Sequence, residues 1–84
     1  MKEKVVFSID QGKSDPAEVI WLIEDLDIVS ERSFKTSETI VSMVFRRDGT
    51  VLVTIELEPE VMEKVFKKYK YQERLIDLGA VFQG

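Results

Sequence analysis

Carboxylates offer the first opening for chemistry in this chain. Glu24, Asp25 and Asp27 stand almost side by side, Glu31 follows a turn later, and Glu58 precedes a second helical segment. Oxygen-only donors of this kind suit a hard divalent cation, Ca²⁺ or Mg²⁺, and the chain contains neither His nor Cys to favour zinc. Glu24-Asp25-Leu26-Asp27 lacks the spacing and the glycine of an EF-hand loop, so a cation site has to be assembled from separate elements.

Other chemistries find less support. Gly12-Lys13-Ser14 lies between a strand and a helix, like the tail of a phosphate-binding loop. The glycine such a loop needs five residues earlier is Phe7, so a nucleotide-binding loop is not expected. A simpler anion site remains, with Gly12, Lys13 and Ser14 at the helix start and Arg46 nearby. Lys67-Lys68-Tyr69-Lys70-Tyr71 interleaves cations with aromatic rings, a pattern that single-stranded RNA can use by stacking. A net charge of -4 opposes general nucleic-acid binding, and Tyr69 at helical spacing reads as a core residue. No nucleophile–base constellation is present, so a non-enzymatic role is expected.

The elements that must position these residues follow from periodicity. Val5, Phe7 and Ile9 alternate as a strand over 5–9. Asp15-Pro16-Ala17-Glu18 opens a helix with a cap, a first-turn proline and an acid. Val19, Leu22, Ile23 and Leu26 form its apolar stripe, widened by Ile20 and Trp21, and Ile28-Val29 marks its exit. Residues 30–37 fit either a loop or an edge strand. Two β-rich runs, 38–46 and 50–57, flank Asp48-Gly49, which favours a two-residue hairpin turn. That turn pairs Arg46 with Val51, Val44 with Val53, Ser42 with Ile55 and Ile40 with Leu57 on one face. It pairs Phe45 with Leu52, Met43 with Thr54 and Val41 with Glu56 on the other. Pro59 opens a second helix, with Val61, Met62, Val65, Phe66 and Tyr69 on one side. The stripe then drifts, which predicts a break near Lys70-Tyr71. Gly79 suits a helix end, and Ala80-Val81-Phe82 a short last strand.

The order β-α-β-β-α, with a final β, predicts a single α+β domain over residues 1–84. It implies an antiparallel sheet with both helices on one face, ferredoxin-like or a related split β-α-β fold. Val44, Val53, Ile55, Ile40 and Leu57 then face the helices. Val41, Met43, Phe45 and Leu52 make the outer face unusually apolar, which predicts an interface for a homodimer or another protein partner unless residues 30–37 cover it.

Chain direction in such a fold collects Glu24, Asp25, Asp27, Glu31 and Glu58 at one end and Lys13, Arg46, Arg47 and Arg74 at the other. Acids at the C-terminal end of the first helix oppose its dipole. Solvent screening, a basic partner protein and a bound divalent cation each answer that conflict; the cation is the expectation taken forward.

With 84 residues, no Asn, no Cys and a Lys/Glu-rich composition, the chain resembles, in general character, the small α+β proteins of thermophilic archaea. The resemblance implies no functional residues. No apolar run reaches the ~20 residues that span a bilayer, and the N-terminus lacks the form of a signal peptide, so a cytoplasmic location without membrane contact is expected.

Overall fold

The computed structural model describes residues 1–34 and 39–83. Its elements are β1 (Glu3–Asp10), α1 (Pro16–Ser33), β2 (Ile40–Phe45), β3 (Thr50–Leu57), α2 (Pro59–Val61) continuing into a π-helical stretch (Met62–Lys67), α3 (Tyr71–Asp77) and β4 (Val81–Phe82). The four strands form one antiparallel sheet in the order β2-β3-β1-β4. Because β3 is antiparallel to both β1 and β2, those two run parallel with β3 inserted between them. This is the α+β arrangement that the element order implies. Among the described residues no helix is long and apolar enough to cross a membrane.

β3 is the middle of the hydrophobic core. Val51, Val53, Ile55 and Leu57 alternate onto the helix side, and each is 0% exposed. Burying side chains of this kind contributes roughly 1.5–3 kcal/mol apiece. Phe7 and Ile9 of β1 lie beside Val53 and Val51 in the register and are buried with them. Val19, Ile23 and Leu26 of α1 close the core from above, with Val61, Val65, Phe66, Tyr71 and Leu75 from the second helical arm.

The hairpin between β2 and β3 differs from expectation by one residue. A two-residue turn of the expected type needs positive φ at both Asp48 and Gly49. Only Gly49 has it, at φ 88°. The Gly49 N–H donates to the Arg46 carbonyl, and the Arg46 N–H donates to the Thr50 carbonyl at 2.9 Å. The connection is therefore a turn followed by a left-handed glycine, a three-residue loop. Asp48 pins it by accepting from the Thr50 amide at 3.0 Å and the Thr50 hydroxyl at 2.6 Å. The carboxyl of Asp48 is held below its ordinary range, chiefly by that hydroxyl and then by the amide. The pairs become Phe45 with Val51, Val44 with Leu52, Met43 with Val53, Ser42 with Thr54, Val41 with Ile55 and Ile40 with Glu56. A one-residue shift exchanges the two faces of a strand. Val41, Met43 and Phe45 thus face the helix side, while Leu52 shares the outer face with Val44 and Ile40.

The helices carry further corrections. α1 does not end at Ile28-Val29 but runs to Ser33, and Phe34 caps it by donating its N–H to the Ser30 carbonyl. Ser30 is fully buried on the core stripe, which it tolerates because its hydroxyl donates to the Leu26 carbonyl at 2.7 Å. Of the segment left open between a loop and a strand, residues 30–33 are helix; residues 35–38 lie outside the described residues. Asp15 caps the start, as expected, by accepting from the Ala17 amide at 2.9 Å. Ile20 and Trp21 are exposed rather than part of the core stripe.

The second arm breaks where its stripe drifts. Lys70 adopts a left-handed conformation, φ 56° and ψ 43°, between the π-helical stretch and α3. The wider π turn and this break rotate the phase of the arm. Tyr69, expected in the core, is half-exposed, and Tyr71 is buried in its place, stacked on Phe66 with ring centroids 6.2 Å apart. Gly79 ends α3 at φ 99°, and a side chain there would collide with Ser14 of the β1–α1 loop.

The left-handed Lys70 supplies a stability test. A non-glycine residue in this conformation costs ~1–2 kcal/mol, and glycine's extra chain entropy offsets part of the relief. Lys70→Gly is expected to stabilise the fold by about 0.5–1 kcal/mol, read as a higher urea midpoint at unchanged slope. A lower midpoint would show that the Lys70 side chain holds the break.

Candidate interaction surface

The extension of α1 decides the fate of the carboxylates. Because the helix runs to Ser33, Glu24, Asp25 and Asp27 lie more than a turn before its end, outside the reach of the C-terminal dipole. The electrostatic conflict that suggested a cation therefore falls away for these three. Among the described residues, no three His, Cys, Asp or Glu side chains gather closely enough to hold a metal ion. Asp25 turns toward α3, where it accepts from the Tyr71 hydroxyl at 2.8 Å and lies 3.8 Å from the Arg74 guanidinium. Glu24 and Asp27 turn the other way, toward β2. Glu31 is exposed in the last turn of α1, and Glu58 occupies the N-cap of α2 with no side-chain cap bond. Nor do acids and bases separate cleanly to opposite ends, since Asp25 meets Arg74 at mid-helix.

The loop proposed for anions is internally satisfied. The Gly12 amide donates to the Asp10 carboxylate at 2.8 Å, and the amides of Lys13 and Ser14 donate to the Asp10 carbonyl. Arg46 lies in the neighbouring hairpin, tied to this loop by the bond from the Gln11 amide to the Gly49 carbonyl. An anion would meet engaged amides and a resident carboxylate. The basic stretch also departs from a stacking platform: Tyr71 is buried, Lys67 bonds Glu63 at 2.8 Å, and Lys68 lies over Tyr69, 5.6 Å from the ring centre.

The distinctive surface is β2. It is an edge strand, and none of its six residues, Ile40–Phe45, is charged or proline. Proteins usually protect a long edge with charge, proline, a bulge or brevity; the opposite edge, β4, has only two residues. The antiparallel ladder fixes which backbone groups have no partner among the described residues. Hydrogen-bonded pairs alternate along it, and the bond from Arg46 to Thr50 sets the phase. Ile40, Ser42 and Val44 therefore direct their N–H and C=O groups to β3. Val41, Met43 and Phe45 direct theirs outward.

The helix layer covers this edge only in part, with Met43 half-buried against the core. Although Val41 and Phe45 are on the helix side of the sheet, they are 42% and 62% exposed. Between α1 and the strand lies a cleft of about 280 Å³ lined by Ile23, Glu24, Asp27, Ile28, Thr39 and Val41. Ile20 and Ile28 are exposed on the same helical flank as Glu24 and Asp27. An apolar shelf with two acids above it thus borders the open strand edge. Sequence reasoning offered Val41, Met43, Phe45 and Leu52 as the interface, and placed Ile20 in the core stripe and Ile28 at the helix exit. The i, i+4, i+8 spacing of Ile20, Glu24 and Ile28 was the signal for this second flank.

On the other flank of α1, Trp21, Leu22, Asp25, Arg74 and Asp77 help line an open groove. Arg74 lies over the Tyr71 ring, 4.7 Å from its centre. The Tyr71 phenol is pushed up to about 12 from an ordinary 10.0, by burial first and then by the hydrogen bond and charge of Asp25, with Arg74 opposing. In the unfolded chain this phenol ionises first. The stability it confers is therefore intact below pH 10.0 and lost as pH rises to about 12. Ultraviolet titration of Asp25→Ala should bring the Tyr71 midpoint down but leave it above its ordinary value, because burial persists. An unchanged midpoint would mean that the hydrogen bond contributes nothing. Comparison with known protein families, curated proteins and solved structures finds no match to this chain.

Proposed function

We propose that this chain is a non-enzymatic interaction module that binds an extended polypeptide strand along the open edge of β2. The observation that carries this reading is the outward-facing backbone of Val41, Met43 and Phe45 beside an exposed apolar shelf. Main-chain hydrogen bonds to a sheet edge give affinity to such an interaction, and alternate side chains give specificity. Here the alternate side chains of a bound strand would meet Ile20 and Ile28 on the helix side. The outer sheet face is a poorer candidate, since its apolar residues Val6, Ile40, Val44, Leu52 and Val81 are interspersed with Lys4, Ser8, Ser42, Thr54 and Glu56. A cation site has less support, because its carboxylates diverge and Asp25 already has partners.

Peptides selected from a random displayed library on the wild-type protein test the reading. The selected peptides should shift the amide resonances of Val41, Met43 and Phe45. They should bind Met43→Pro at least about tenfold more weakly, because proline removes an outward-facing donor and places a ring on the edge. Selected peptides that map to the outer sheet face, or that bind Met43→Pro equally well, would contradict it.

A further inference from the structure

We infer that the strand taken up by β2 is the β2 of a second copy of this chain, paired antiparallel about a two-fold axis at Met43. This rests on the edge-binding reading above and names its partner. The strand is self-complementary in the sense a two-fold contact requires. Centring on Met43 sets Met43 against Met43 and Val41 against Phe45 of the other copy. Those are the three residues whose N–H and C=O groups point outward, so this register leaves none of the strand's outward-facing groups unused. The same register joins the two helix-side strips into one apolar surface, with exposed Val41 and Phe45 side by side at each end.

Charge complementarity selects the same partner. The C-terminal end of β2 leads into the exposed pair Arg46-Arg47, and Glu24 and Asp27 border its N-terminal end beside Thr39 and Val41. Antiparallel pairing brings the arginines of each copy to the acids of the other. Asp48, in the same turn, is held by Thr50 and leaves the turn with a net positive charge. A parallel arrangement would instead bring arginines to arginines and acids to acids. The two acids that the sequence offered as cation ligands thereby acquire a counter-charge from a neighbouring chain, at a rim where charge governs specificity more than affinity.

Sedimentation equilibrium on the full chain tests the proposal. The wild type should reach twice the chain mass with increasing concentration, and added salt should weaken the association. Met43→Pro should remain a monomer with a folded circular dichroism spectrum: it removes no bond to β3, and it gives up a side chain only half-buried against the core. The double variants Arg46→Glu/Arg47→Glu and Glu24→Lys/Asp27→Lys should each dimerise at least about tenfold more weakly than the wild type. Mixed in equal amounts, they should recover dimerisation, because both junctions of the mixed dimer are then oppositely charged. A role of these residues in folding alone would give no recovery on mixing. A wild type that stays monomeric at millimolar concentration would overturn the proposal, as would a dimer that survives both Met43→Pro and the charge reversals. If the wild type is monomeric but selected peptides still bind β2, the second copy is the wrong partner and the edge-binding reading stands. If peptides also bind elsewhere, both readings fail.

Discussion

The left-handed conformation of Gly49 governs more of this structure than any single core contact. It makes the β2–β3 connection three residues long, with Asp48 bound to Thr50 inside it. Loop length sets register, and register sets which side chains share a face. β3 would be buried in either register, since Val51, Val53, Ile55 and Leu57 alternate toward α1 and the second helical arm regardless. The loop decides instead which face of β2 joins that side. It delivers Val41, Met43 and Phe45 there and turns their backbone groups away from the sheet.

The helix layer then leaves a gap. One long helix and one broken arm cover β1 and β3, and the core is complete over those two strands. Of β2, Met43 packs against that core, while Val41 and Phe45 overhang it and remain exposed. The break in the arm serves the core. The π-helical turn and the left-handed Lys70 bring Tyr71 inward onto Phe66, where its hydroxyl reaches Asp25. One α1 flank is thereby tied to α3, while the opposite flank, with Ile20, Glu24, Asp27 and Ile28, borders the open edge. The two edges of the sheet are unequal, six residues in β2 against two in β4, and the proposed pairing uses the longer.

Much of the fold was legible in the sequence because its signals are local. Alternation in β1 and β3, the prolines at Pro16 and Pro59, the stripe drift near Lys70 and the terminal Gly79 each report a short-range constraint, and each corresponds to an observed feature. The turn was not legible in the same way, because Asp-Gly serves two loop lengths and only the backbone of Asp48 distinguishes them. The end of α1 was obscured by the β-branched pair Ile28-Val29, which reads as an exit, and by the polar Ser30 after it, whose burial depends on its hydroxyl bond to the Leu26 carbonyl. That misplaced end made Glu24, Asp25 and Asp27 look like a convergent cluster. On a continuing helix, residues one apart in sequence point about 100° apart, so Asp25 diverges from Glu24 toward another partner. Val41 and Phe45 are exposed as expected, but on an overhanging edge rather than on the outer face of the sheet, and Met43 between them is half-buried against the core.

The central claim is that the outward backbone of β2 is free in the single chain and is engaged on association. Amide hydrogen exchange, followed residue by residue at low and high protein concentration, tests it most directly. Ile40, Ser42 and Val44 should be protected at both concentrations, because β3 holds their amides. Val41, Met43 and Phe45 should exchange freely at low concentration and become protected at high concentration. Exchange at these three that does not change with concentration, while the chain associates, would contradict the account.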